Sequence, residues 1–572
     1  MRLRACSTGF SRNLLFVLYR TTAPSIYTTA GSRRNALARS PRSINSTEML
    51  SNIQQPCDEA LVRSQPDVVG CRETAGMWVL AAAILGSSIT FIDGTAVNVA
   101  LPLLQKDLGS SVAGAQWVVE SYALMLASLI LVGGSLGDRL GRRRVFASGV
   151  LVFALASMWC GLAPGMTQLI VARGVQGVGA AFLVPGSLAL ISANFTKARR
   201  GQAIGTWSGF SAIAAGIGPI LGGWLVERFS WRWIFFINIP LCAVVLLIIW
   251  KRVPDSSGKQ SVGRTDWLGP VLATIGLGGV VFGLIESNTR GWSAPLVISS
   301  MLVGIVAMVG FVVVEGRQSE PMVPLRLFRS RTFAGANLLT LFLYAALGGI
   351  LFFLPFNLIQ VQGYSPTAAG AALVPFVLTM SLLSRWAGGL VDRYGSKLPL
   401  VAGPVIAAVG FALFAVPGAD GGTYWTQFFP AVIVMSIGMT TSVAPLTTTV
   451  MGAVEERHAG VASGINNAVS RTASLLAVAV FGVLMLHTFN KNLNENLIPI
   501  PISVEERSSI LEHSADLVNV TIPESLSTET NEAIRRVVRE SFVAGFRLVA
   551  IIASVLALAS ALASWLLIEG KG

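Results

Sequence analysis

From Trp78 to Leu567 the sequence returns repeatedly to apolar stretches of about 20 residues, the length an α-helix needs to cross a hydrocarbon core of about 30 Å. Lipid offers the backbone no hydrogen-bond partners, so such stretches fold as helices that satisfy themselves. The expectation is an all-α polytopic membrane protein. A charged fraction of only 12% agrees with this, being about half that of soluble domains. Fourteen spans are predicted, at about 78–102, 114–136, 145–163, 166–192, 201–226, 232–250, 267–285, 295–315, 333–360, 367–390, 398–416, 425–449, 459–486 and 545–567.

The loops test that reading. Arg139, Arg142, Arg143 and Arg144 follow the second span, Lys197, Arg199 and Arg200 the fourth, Lys251 and Arg252 the sixth, Arg326, Arg329 and Arg331 the eighth, and Arg393 and Lys397 the tenth. The short intervening loops hold only Lys106, Arg228, Arg232 and Arg290. By the positive-inside rule the basic loops are cytoplasmic. Both termini are then expected in the cytoplasm, with the chain in a plasma or inner membrane. The net charge of +13 is mostly this topology signal, and charges spread over loops on one membrane face give no nucleic-acid interface. Cys6, Cys57, Cys71, Cys160 and Cys242 are odd in number and scattered, so no disulfide framework, metal or cofactor is expected.

Two segments depart from the pattern. Residues 1–74 form a basic extension, with eight arginines and no acid in the first 47. That is the composition of an organelle-targeting segment, and equally of a reading frame extended beyond a start at Met49 or Met77; either way it reads as disordered. Residues 487–544 are expected as a long outer loop, in which "NEAIRRVVRESF" suits a short amphipathic helix. The remainder divides into 75–255 with six spans, 256–320 with two, and 321–572 with six. "GSLGDRLGRR" after the second span and "GGLVDRYGSK" after the tenth align on Asp138–Arg139 and Asp392–Arg393, so the two six-span parts read as a parallel duplication with two helices inserted between them.

Several intramembrane stretches carry chemistry. In "GSLGDRLGRRR", Gly137 and Gly141 permit a tight turn, Asp138 can cap or pair with a helix end, and Arg142 anchors the turn in the cytoplasm. "ARGVQGVGAAFLVPG" places Arg173 and Gln176 inside an apolar helix, where a cation is costly and marks either a site or a packing device. "SGFSAIAAGIGPILGG" presents Gly218 and Gly222 at i,i+4 beside Gly216, Pro219 and Gly223, a flat face for close helix crossing. "FIDGTAVNVALP" puts Asp93, Thr95 and Asn98 at roughly helical spacing, expected to share one face. "GGSLG" at 133–137 fits a nucleophile elbow only as a string, since no strand precedes it and none of His458, His487 or His513 stands in a partner motif. With no P-loop either, neither an enzyme nor ATP-driven export is expected.

These stretches, with "WRWIFFINIP", "TDWLGPVLATIGLGG", "MVPLRLFRSRTFAGAN" and "GYSPTAAGAALVP", resemble the major facilitator superfamily, and within it the EmrB/QacA-type drug:proton antiporters with fourteen helices. The resemblance covers about 78–480 and the last helix and implies the major facilitator fold: two six-helix bundles plus two inserted helices. It implies a monomer that exports amphipathic drugs or toxic small molecules against protons, with Gly137, Asp138, Arg139, Gly141 and Arg142, and Asp392 and Arg393, as the gating loops. Gly216, Gly218, Pro219, Gly222 and Gly223 match the antiporter signature. An uptake symporter is the alternative.

An exporter without nucleotide sites draws on an ion gradient, and one charge crossing 100 mV releases about 2.3 kcal/mol. Only Asp93, Glu120, Arg173 and Arg471 lie well inside the spans. Asp93 is the expected proton carrier, modulated by Arg173, with Glu120 as competitor; Asn98, Gln176, Trp117 and Arg471 are expected at the substrate cavity. A packing role for Arg471 stays open.

Overall fold

The computed structural model describes residues 73–195, 197–254, 267–318, 321–419, 421–455, 458–520, 522 and 526–570. The expected N-terminal extension lies outside them except for its last two residues. The chain folds as α1 Glu73–Asp107, α2 Val112–Leu140, α3 Arg142–Leu162, α4 Met166–Asn194, α5 Lys197–Arg228, α6 Trp233–Arg252 and α7 Leu268–Arg290. There follow α8 Pro295–Arg317, α9 Arg331–Phe356, α10 Pro366–Gly388, α11 Lys397–Leu413, α12 Phe429–Gly452, α13 Ala459–Asn496 and α14 Thr528–Leu567. Starts are written locally. Ser111, Ser330, Ser365 and Ser527 each accept the amide three residues on, and Pro295 and Pro366 supply first-turn residues that need no donor.

Among the described residues thirteen helices are long and apolar enough to cross a membrane, against the fourteen expected. The eleventh, α11, has 17 residues, about 25 Å at 1.5 Å per residue. Its axis continues to Val416 through i→i−3 bonds from Phe414, Ala415 and Val416 before Pro417 stops it.

The expected outer loop at 487–544 is largely helix. α13 runs on to Asn496, and α14 starts at Thr528 rather than near 545, because "NEAIRRVVRESF" contains neither Gly nor Pro and is continuous with the apolar run after it. Between them lie a short helix, Val504–Glu512, and a 3-10 turn, Ser514–Asn519. Ile510, Leu517 and Val520 sink into the core shared with α14, and Gln105 at the end of α1 donates to the Asp516 carbonyl at 3.2 Å. The segment therefore seals one face.

Helices approach closely where glycines strip a face. Gly177 of α4 lies against the Tyr122 carbonyl of α2, and Gly179 against the Phe153 amide of α3. The inserted helices pair through Gly276, Gly279 and Gly304. α7 meets the bundles: Trp117 of α2 packs on Phe282 with ring centroids 5.9 Å apart, and Leu475 and Ala479 of α13 close the cluster with Leu277 and Val281, against which Met308 of α8 also packs. α8 leaves Leu302, Val306 and Val309 exposed, the surface a lipid-facing helix requires.

One apolar cluster joins the halves. It runs from Ala96–Leu104 of α1, Val112–Val118 of α2 and Leu225–Val226 of α5 into α9 to α14. A separate cluster, with Val79, Ile130, Phe146, Val150 and Ile249, fills the first bundle at the end that carries Arg142–Arg144. The halves thus share one core, and the first half keeps a second one of its own beside its basic turn.

Candidate functional site

Five helices converge on Asp93. Its Oδ2 takes the Arg173 guanidinium at 2.5 Å, and its Oδ1 accepts from Gln176 Nε2 and from Asn238 Nδ2, both at 2.9 Å. Gln176 also donates to Ser157 Oγ at 2.8 Å, while its Oε1 accepts from Arg173 Nη1 at 2.7 Å. Arg173 Nε donates to the Val118 carbonyl at 3.0 Å, and its plane lies 4.3 Å from the Tyr122 ring and 5.8 Å from that of Phe235. Asp93, Ser157, Arg173, Gln176 and Asn238 are all 1% exposed or less.

Each piece has a local cause. Arg173 and Gln176 stand at i,i+3 on α4, so both reach one carboxylate, and Gly177 lets α2 come near enough for its Val118 carbonyl and Tyr122 ring to serve Arg173. Buried charges persist only when paired and hydrogen-bonded, and here the carboxylate accepts three bonds. The pair is neutral as a unit and fully desolvated, its carboxylate and guanidinium each held by further hydrogen bonds.

The other expected residues lie in several places. Asp93 does not share a face with Thr95: that hydroxyl bonds the Phe91 carbonyl at 2.8 Å and abuts Gly218 of α5, while Asp93 points to α4 and α6. A separation of two residues turns a helix by about 200°. Asn98 is half-buried with its Oδ1 unpartnered. Gln176 sits within the Asp93 network rather than on a cavity wall, and Trp117 in the packing seam with α7. Glu120 is 1% exposed with Oε2 unpartnered, one turn from Gln116, which donates to the Val478 carbonyl of α13 at 3.0 Å. Arg471 is half-buried on α13, near enough to the Tyr122 and Tyr344 phenols to act on both electrostatically.

α5 presents two glycine faces. Gly218 and Gly222 lie against Thr95 and Ala96 of α1, whereas Gly216 and Gly223 lie against Val377 and Pro366 of α10. Pro219 offers its carbonyl to the Gly370 position, and Glu227 Oε2 accepts from the Thr367 amide at 3.3 Å. Further along α5, Gly205 and Gly209 have nothing within 4 Å. The halves therefore touch along one end of this helix pair and part toward the basic turns.

At those turns Gly141 has φ +98° and Gly395 φ +75°, backbone that favours glycine, in equivalent places of the two repeats. Arg142 donates to the Ala189 carbonyl at 3.3 Å and Arg143 to that of Trp250 at 3.1 Å, tying the turn to the ends of α4 and α6. Gly137 is buried, Arg139 half-buried and Arg393 exposed; the side chains of Asp138 and Asp392 lie outside the described structure.

Asn238, Ser157 and Tyr122 were not singled out from the sequence. Asn238 left a signal, a lone amide in the apolar "WIFFINIP"; a serine in "ALASMWC" leaves none.

The family model for the Major Facilitator Superfamily matches residues 83–478. Multidrug resistance protein Stp of Mycobacterium tuberculosis is 33% identical over 85% of this chain and 91% of its own length. The tetracenomycin C resistance and export protein of Streptomyces glaucescens is 30% identical over 84% of this chain and 90% of its own length. Among solved structures, the inward-facing, unoccupied bacterial homologue of the human lysosomal transporter Spinster matches with TM-score 0.60 at 17% identity, over 87% of this chain and all of that one. Fold, membrane-crossing helices and sequence agree: the chain belongs to the major facilitator superfamily, as a multi-pass membrane transporter.

Proposed function

We propose that the protein is a proton-coupled antiporter that exports amphipathic drugs or toxic small molecules by alternating access. The observation that carries the coupling is the buried Asp93–Arg173 pair, held by Gln176 and Asn238 at the meeting of five helices. Any rearrangement of α1 against α4 breaks it. A carboxylate that loses its guanidinium in an apolar site takes up a proton, and gives it back when the pair re-forms. Opening toward opposite faces in the two states then carries the proton inward as cargo leaves. The turns at Gly141 and Gly395 act as clasps in this cycle, with Asp138, Arg139, Asp392 and Arg393 as their charged partners. Glu120, buried beside α13, is a second protonation site on this reading.

The direction of transport is supported by relatives whose names are resistance and export proteins, and by the two glycine faces of α5, one on α1 and one on the opposite half. The loop charges support a reading with both termini in the cytoplasm and the chain in a plasma or inner membrane, and the family resemblance supports a monomer as the working unit. The test is dye efflux from cells expressing the protein, with and without an uncoupler. Efflux that stops on collapse of the proton gradient is expected; efflux indifferent to the gradient, or accumulation along the direction of proton flow, overturns the proposal.

A further inference from the structure

We propose that Arg471 is the cargo-recognition cation of the central cleft, and that it selects amphipathic molecules bearing an anionic group over lipophilic cations. The inference deepens the export reading above and rests on it. Acidic residues inside spans at first suggest cationic cargo, yet the charges do not distribute that way. Of the four charged side chains well inside the spans, Asp93 and Arg173 neutralise each other in a closed network. Glu120 is 1% exposed, on the face of α2 that packs against α7 and α13. Arg471 alone is half-exposed, and among the described residues no hydrogen bond or ion pair engages it.

Its surroundings are those of a binding surface. Asn467, Ser470 and Ser474 stand at i−4, i−1 and i+3 on the same side of α13, all half-buried. The Ser474 hydroxyl donates to the Tyr344 carbonyl of α9 at 3.2 Å, so the stripe runs beside the α9–α13 seam. Tyr122 and Tyr344 bring a phenol from each half within electrostatic reach of the guanidinium. The packing role that an intramembrane polar residue often has belongs to a neighbour: Asn466 donates to Asn337 Oδ1 at 3.2 Å and Thr340 Oγ1 at 2.6 Å, tying α13 to α9. A cation kept inside a span without a counter-ion is costly, and its planar fork of donors matches a carboxylate or sulfonate. The two phenols suit an aromatic remainder of such a molecule.

The experiment measures equilibrium binding of fluorescein, an anion, and rhodamine 123, a cation of similar size and shape, to the purified full chain by fluorescence anisotropy, with an uncharged BODIPY dye as reference. Fluorescein is expected to bind about tenfold more tightly than rhodamine 123 or better, with that margin lost in Arg471→Gln and largely kept in Arg471→Lys. The uncharged dye is expected to bind all three alike. Preference for the cation by the unaltered protein overturns the proposal without reference to any variant. So does Arg471→Gln weakening anionic and uncharged dyes equally, which marks a structural residue. Binding needs no gradient, so anion-selective binding without gradient-driven transport in the same preparation indicts the export reading and leaves Arg471 standing.

Discussion

Removing Arg173 strands the Asp93 carboxylate without a counter-ion in a dry site. Breaking one side of such a pair costs about 3–5 kcal/mol, so Arg173→Gln is expected to lower the unfolding temperature in detergent sharply, and Arg173→Gln with Asp93→Asn to recover much of the loss. An additive double variant contradicts the pairing. Asn238→Ala removes one of three bonds to the same carboxylate, an expected cost of about 1–3 kcal/mol, read by chemical unfolding of the purified protein. Much of this site was legible in sequence, since Asp93, Arg173 and Gln176 interrupt apolar runs and a polar group in a span must find a partner. Asn238 and Ser157 were not, because one amide or hydroxyl in a span has many ways to be satisfied. Nor was it legible that Thr95 turns to α5 while Asp93 turns to α4; a three-residue polar pattern does not fix which neighbour each side chain meets.

Among the helices, α5 and the two glycine turns are where the alternating-access proposal places the moving parts. Gly141 and Gly395 carry positive φ, so Gly141→Ala and Gly395→Ala are each expected to cost about 1–2 kcal/mol while leaving the Asp93 site intact. Thermal unfolding and dye binding measured side by side check this, and loss of binding without loss of stability contradicts it. A side chain at Gly223 meets the Pro366 carbonyl of α10; Gly223→Val is therefore expected to prise apart the closed end of the cleft without disturbing α1, which Gly218 and Gly222 hold. Hydropathy found the spans because their period is that of the bilayer. It misplaced the end of α13 and the start of α14 because a helix that leaves the membrane stops being apolar but does not stop being helical, and only Gly, Pro or a cap reports that end. α11 came out short for a related reason: its last apolar residues form a 3-10 turn before Pro417.

Across the molecule, one end of the cleft is closed by Glu227 on the Thr367 amide, by the α5 and α10 glycines, and by the segment after α13. Alternating access requires this end to open in each cycle. Cross-linking Glu227→Cys to Thr367→Cys is thus expected to stop transport and reduction to restore it; full transport by the cross-linked protein contradicts a rocking mechanism. The repeated Asp-Arg turns suggest a duplication with an inserted pair, but which end is closed was not legible, since one sequence encodes both states of a transporter. The central claim is that protonation of Asp93 couples the two. Its most direct test is Asp93→Asn in proteoliposomes: gradient-driven accumulation of dye is expected to vanish while gradient-free equilibration persists, and proton-driven transport at the unaltered rate would contradict the account.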